Sequence, residues 1–329
     1  AVQGGFSGWN GESASAAFDA LLADPVRLML WQTVFIGLTV LVVAFGVTRG
    51  LETAVRVLMP LLFLLLLLLL GYAAVAGEFA QGLHFMFDFN VSDLSWQGAS
   101  IALGHAFFTL SLAMGAIMAY GSYMPGKASI GKMVLTVAVL DTLVALVAGL
   151  AMFPIVFATP GISPGDGPGL MFVSLPVAFG NMPGGVIVGA AFFVLVTLAA
   201  WSSTISLLEP CVAYITERFG LKRYTANGLI AGSAWLLGIG SVLSFNHWAD
   251  FTGLFGMNVF GFLDFVTQRV MLPLGGLAMA LFVGWVARRE LLRHELRQES
   301  ERQFELWLTL LKYLCPPALL LILIGGFWA

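Results

Sequence analysis

Polar residues along most of this chain fall in short clusters, separated by long apolar runs of similar length. A hydrocarbon core of roughly 30 Å requires about 20 apolar residues of helix. Eight stretches meet that requirement: Leu30 to Val47, Val57 to Ala76, Ala99 to Tyr123, Met133 to Phe157, Gly185 to Tyr214, Gly228 to Leu243, Phe265 to Val286 and Trp307 to Trp328. In lipid only helices and closed barrels satisfy their backbone, and runs this long exclude barrel strands. The pattern therefore predicts an all-α integral membrane protein, one polytopic domain over residues 1–329. The second run holds an unbroken series of leucines and is expected to face lipid.

Three segments break the pattern. Residues 1–29, polar and Gly-rich at the start, read as the remnant of an extracellular loop. Residues 158–183, "ATPGISPGDGPGLMFVSLPVAFGNMP", are too interrupted by Pro and Gly to span, yet they contain the apolar patch "LMFVSLPVAF". Such an external segment either folds over a mouth as a lid or packs as a surface loop on helix ends. Residues 287–305, "ARRELLRHELRQESERQFE", predict a cytoplasmic amphipathic connector helix with charges spaced for i,i+4 pairing.

Charge then gives direction. Basic residues gather in alternate loops: Arg49 and Arg56; Lys127 and Lys132; Arg218, Lys222 and Arg223; and Arg288 through Arg302, with Lys312 just inside the last run. Of the 15 Lys and Arg, only Arg27 and Arg269 lie elsewhere. The intervening loops carry acids such as Glu78, Asp88, Asp93, Asp166 and Asp250. The basic loops are cytoplasmic by the positive-inside rule, which makes this a multi-pass protein of the inner (plasma) membrane. Composition agrees, with 59% hydrophobic and only 10% charged residues and a mean hydropathy of +0.94.

Some chemistries are excluded. No basic patch with interleaved aromatics suggests nucleic acid. The four histidines are scattered and form no metal-ligand set. Cys211 and Cys315 sit in apolar runs and read as buried small apolar residues. No nucleophile with a base and an orienter is visible, so an enzyme is not expected. The chain begins at Ala1 without a signal-peptide pattern, and it is expected to start inside a longer protein.

The informative residues are the polar ones at membrane depth. Of the 18 carboxylates, Asp141, Glu209 and Asp264 fall in or near spans. A carboxylate in the hydrocarbon costs at least about 2.5–3.5 kcal/mol, so it faces a partner, a cavity or an ion. Asp141 lies about 12 Å deep at 1.5 Å per residue, with no Lys or Arg in its own span. It is either protonated or met by a cation. Glu209 precedes helix-distorting Pro210 near the cytoplasmic end, as a gate or a helix-end contact. Asp264 precedes Arg269 by too many residues for an i,i+4 pair; both read as interface residues or gate charges. In "AAWSSTISLLEP" three successive hydroxyls, Ser202, Ser203 and Thr204, point in different directions. They either bond back to carbonyls a turn earlier or line a cavity suited to a hard cation. In "FFTLSLAMGAIMAY", Thr109, Ser111 and Gly115 suggest either close helix packing or a broken helix that frees backbone groups for ions and polar ligands.

Three motifs, "RGLETAVRVLMPLLF" (Arg49 to Phe63), "FFTLSLAMGAIMAYGSY" (Phe107 to Tyr123) and "LAAWSSTISLLEP" (Leu198 to Pro210), resemble the neurotransmitter:sodium symporter family, particularly its bacterial amino-acid transporters. The resemblance covers nearly the whole chain and implies a LeuT-like inverted-repeat transporter bundle, the eight spans being family helices 4 to 11. It implies sodium-coupled symport of a small, hydrophobic amino acid by alternating access, with Na⁺ as co-transported ion and no organic cofactor. Thr109 and Asp141 would serve a first sodium site; Ala199, Ser202 and Ser203 a second. Phe108, Thr109, Ser111, Met114, Ser203 and Leu207 would contact substrate, and Asp264 and Glu209 are gate candidates. Asp141 stands where many members carry Asn, and His105 where chloride-dependent members carry Gln; both imply chloride independence.

The chain departs from the family in three places. Ala113 replaces a Gly of the unwound stretch, and Met114 replaces an aromatic. The family's first helix, which completes both sodium sites, is absent, so this chain alone is not expected to transport. The alternative is a non-transporting membrane sensor or scaffold that retains the binding site.

Overall fold

The structure, a computed structural model, describes residues 8–46, 52–88, 94–122, 124, 128–159, 169–253 and 255–328. The regular elements are helices. In chain order they are α1 (Gly11–Leu22), α2 (Pro25–Ala44), α3 (Glu52–Ala76), α4 (Phe79–Phe87), α5 (Trp96–Thr109), α6 (Ala116–Ser122) and α7 (Ile130–Phe157). Then follow α8 (Leu170–Asn181), α9 (Gly185–Phe219), α10 (Arg223–Leu243), α11 (Val259–Val286), α12 (Arg289–Glu295) and α13 (Glu301–Gly326).

Among the described residues, 7 helices are long and apolar enough to cross a membrane: α2, α3, α7, α9, α10, α11 and α13. The third expected span is the exception, because Ala99 to Tyr123 is interrupted between α5 and α6. Tyr123 itself lies outside the described residues.

Local chemistry explains several boundaries. The described part of the expected loop at residues 1–29 is largely helical. Asn10 and Ser13 form a reciprocal capping box that starts α1. Asp24 accepts from the Arg27 amide at 3.0 Å, and Pro25 occupies the first position of α2, where a missing N–H costs nothing. The expected connector helix over 287–305 is likewise two pieces. Ser300 and Gln303 form a second capping box, and this starts α13 inside the stretch.

Prolines account for three of the four π-helical turns among the described residues; the fourth, Phe282–Val286, has no proline after it. Leu170–Ser174, Phe265–Met271 and Leu310–Leu314 are π-helical, and each lies just before a proline: Pro176, Pro273 or Pro316. A proline cannot donate to the carbonyl four residues back and its ring collides with it, so the preceding turn widens. Thus the Leu272 amide reaches Thr267 and the Cys315 amide reaches Leu310.

The chain folds as two units. One comprises Ala1–Phe89, Leu143–Leu208 and Ile215–Asp250; the other comprises Asn90–Thr142, Glu209–Tyr214 and Phe251–Ala329. The core of the first is made by Leu66, Leu69 and Ala73 of α3, Ala151, Ile155 and Val156 of α7, Leu175, Ala178 and Phe179 of α8, and Phe192 of α9. The leucine-rich α3 is therefore not wholly lipid-facing, since one helical stripe enters this core while Leu61, Leu64 and Leu68 stay exposed. The α8 segment is buried against neighbouring helices instead of looping over a surface. Gly185 and Gly189 make room for it, because a Cβ on either would meet Phe179.

In the same unit α2 and α10 run antiparallel, tied by side chains that donate to backbone carbonyls. Asn246 bonds Leu22, Gln32 bonds Trp235, Asn227 bonds Val40 and Arg223 bonds Val43. Gly238 leaves space for the Gln32 amide.

The second unit holds α5, α6, the start of α7, a short part of α9, and α11 to α13. Phe107 of α5 packs over Gly276 of α11. Near the start of α7, Glu299 accepts from the Ser129 hydroxyl at 2.8 Å and from the Gly131 amide at 2.7 Å. Behind it, Leu296, Phe304 and Leu308 form a small core with Ile130.

Cysteine burial departs from expectation, with Cys211 exposed and Cys315 partly so. Membrane helices are apolar on their outer faces too, so hydropathy alone does not locate a small residue inside.

Candidate functional site

The site is built around the break between α5 and α6. Ser111, Ala113 and Gly115 have φ of 52°, 64° and 85°. Only glycine adopts this left-handed region freely; other residues are strained there by roughly 1–2 kcal/mol. Packing holds the turn in place. The Ala113 Cβ lies 3.2 Å from where a Cβ on Gly275 would stand, and a Cβ on Gly115 would come within 3.3 Å of the Pro210 ring. A Gly-Gly pair in an apolar run was the available sequence signal for this floor, and sequence reasoning missed it.

The break frees less backbone than expected. The amides of Leu110, Ser111 and Leu112 donate to the carbonyls of Ala106, Phe108 and Phe107 at 3.1, 2.9 and 3.0 Å. Three carbonyls are thus taken up locally.

At the end of α5 the Thr109 hydroxyl donates to Asp141 Oδ2 at 3.0 Å, across 32 residues of sequence. Thr109 is exposed and Asp141 half-buried. Among the described residues no Lys or Arg pairs with this carboxylate. A hydrogen bond to a charged group contributes about 1.5–3 kcal/mol, whereas a carboxylate at membrane depth costs at least about 2.5–3.5 kcal/mol. One hydroxyl offsets that cost only in part. The hydroxyl keeps its lone pairs while donating, so the pair offers several oxygen ligands to a hard cation. Phe108 is 46% exposed, and Ser111 and Met114 are half-buried in the turn.

The other unit carries the second group of candidates, on α9. Ser202 donates to the Ala199 carbonyl at 2.9 Å, and Thr204 to the Ala200 carbonyl at 2.8 Å. Two of the three successive hydroxyls therefore bond back to their own helix. Ser203 instead is exposed and joins Ala199 and Ala200 on the wall of an otherwise apolar cavity of about 380 Å³. Back-bonding thus holds for Ser202 and Thr204, while Ser203 faces a cavity whose other lining side chains are apolar. Leu207, a helical turn beyond Ser203, is 42% exposed.

The charged candidates separate. Glu209 is 1% exposed, inside the packed protein. Asp264 accepts from the Gln268 amide group of its own helix. Arg269 donates to the Gly326 carbonyl near the end of α13 at 3.2 Å and lies over the Phe265 ring. It thus stabilises the negative end of a helix dipole, which accounts for a basic residue away from the cytoplasmic loops. His105 is exposed on α5.

Comparison with known proteins places these motifs. Residues 22–327 match the sequence pattern of the Sodium:neurotransmitter symporter family. An uncharacterized sodium-dependent transporter, YhdH, of Bacillus subtilis is 34% identical over 327 residues, covering 98% of this chain and 72% of that protein. An uncharacterized sodium-dependent transporter of Haemophilus influenzae is 28% identical, covering 93% of this chain and 66% of its own length. The crystal structure of MhsT in complex with L-phenylalanine superposes with a TM-score of 0.88 at 39% identity, covering 99% of this chain and 74% of MhsT. The fold is thus that of a LeuT-like transporter. With its apolar spans and its broken α5–α6 helix, the chain is a multi-pass membrane protein that belongs to the Sodium:neurotransmitter symporter family.

Proposed function

We propose that this chain contributes the sodium and substrate sites of a symporter that takes up a small apolar amino acid without chloride. The observation that carries this reading is the Thr109 hydroxyl on the Asp141 carboxylate, beside a broken helix and without a cationic partner among the described residues. A bound Na⁺ supplies the stabilisation that the hydroxyl alone does not. Ala199, Ser202 and Ser203 supply a second set of oxygens for Na⁺, and Phe108, Ser111 and Met114 contact substrate. Met114 favours an apolar side chain, in keeping with the L-phenylalanine bound by MhsT. The fixed charge of Asp141 takes the place of a bound chloride. Sodium acts by binding one of two conformations better than the other; without that difference it would drive nothing.

The test is sodium-dependent binding of L-phenylalanine and L-leucine to the full-length protein, with flux measured in proteoliposomes. Asp141→Ala should raise the sodium needed for half-maximal binding about tenfold, the loss of one charged ligand. Unchanged sodium dependence removes Asp141 from the site. Binding that collapses when gluconate replaces chloride overturns chloride independence. Binding without flux favours the sensor reading.

A further inference from the structure

Near the cytoplasmic ends of α11 and α13, three polar side chains meet on a surface that is otherwise apolar. Lys312 lies in the widened turn before Pro316, and its ammonium stands over the Trp285 ring, 5.7 Å from the centroid. The Trp285 and Tyr313 rings meet edge to face, with centroids 5.8 Å apart. Gly284 makes the approach possible, because a Cβ there would stand 3.1 Å from Lys312 Cγ and push the stem away. Trp285 is 59% and Tyr313 64% exposed, among exposed Phe282, Val286 and Leu314.

None of the three polar groups is satisfied by a described residue. Among the described residues Lys312 has no carboxylate partner, and neither the Trp285 Nε1–H nor the Tyr313 hydroxyl has a hydrogen-bond partner. A lysine inside an apolar span is costly unless it reaches the interface or a counter-charge. Here the described residues supply an aromatic face and two further donors, but no anion.

We propose that Lys312, Trp285 and Tyr313 form a binding site for the phosphate of an anionic phospholipid of the cytoplasmic leaflet. The ammonium supplies charge, and the indole N–H and phenol O–H supply directed hydrogen bonds. The exposed Phe282, Val286 and Leu314 border the acyl chains. Charge complementarity selects an anionic over a zwitterionic headgroup, and an aromatic–lysine cluster is what anchors helices at this depth. The site is separate from the residues proposed to bind sodium and substrate and does not depend on them.

Native mass spectrometry of the full chain in detergent, with added phosphatidylglycerol or phosphatidylcholine, tests this. The wild type should retain phosphatidylglycerol in preference to phosphatidylcholine. Lys312→Met should reduce that retention about fivefold, Lys312→Arg should preserve it, and Arg302→Gln should leave it unchanged. Equal loss in Lys312→Met and Arg302→Gln, or equal retention of the two lipids by the wild type, overturns the site. Displacement of the lipid by millimolar inorganic phosphate shows a free-anion site and overturns the lipid assignment. If Lys312→Met does not fold, Trp285→Leu with Tyr313→Phe carries the same expectation.

Discussion

Ala113 is the residue where local preference and tertiary packing disagree most. Its left-handed backbone costs roughly 1–2 kcal/mol that a glycine would not incur, yet its methyl fits above Gly275. Ala113→Gly relieves the strain but gains conformational freedom in the unfolded chain, so the net stabilisation expected is about 1 kcal/mol. Thermal unfolding in detergent reads this directly; an unchanged or lowered midpoint would show that the methyl contact outweighs the strain. Ser111 has the same handedness, but its short polar side chain suits a turn better. Asp141 is the second decisive residue, since one hydroxyl satisfies only part of its requirement.

Among the elements, the α12–α13 connection is more than a linker. Arg293 bonds the Leu296 and Glu299 carbonyls and, with Arg289, lies over the buried Phe304 ring at 5.5 and 5.6 Å. Glu299 then holds the first turn of α7, where a carboxylate meets unpaired amides and the positive end of the helix dipole. The Ser129 hydrogen bond, followed by the Gly131 amide bond and the charge of Arg293, holds the Glu299 carboxyl below its ordinary value of 4.5. A depressed folded-state pKa contributes stability above the unfolded value, and this is lost as pH falls through the folded one. Glu299→Gln should therefore lower thermal stability at neutral pH, with the gap to wild type closing on acidification below about 4.5. A gap independent of pH would mean that the carboxylate charge is not what holds the turn.

For the whole molecule, the alternation of basic and acidic loops fixes direction. In a Cys211→Ser, Cys315→Ser background, Asp250→Cys should react with a membrane-impermeant maleimide in intact cells. Lys222→Cys should react only after permeabilisation, and the opposite pattern would reverse the orientation.

The positions and polarity of the spans could be read from the chain because each apolar run meets the cost of desolvation by itself, whatever its neighbours do. Thr109, Asp141 and the α9 hydroxyls were recognisable as polar groups at costly depth for the same reason. Their partners were not recognisable from depth and polarity; only the family resemblance placed Thr109 with Asp141 and Ala199 with Ser202. Thr109 and Asp141 are 32 residues apart, Ser202 turns to its own backbone, and Arg269 reaches Gly326 and not Asp264. The break at Ser111 rests on glycines of α11 far along the chain. Such pairings depend on which helices touch and through which face, and only the folded structure sets both.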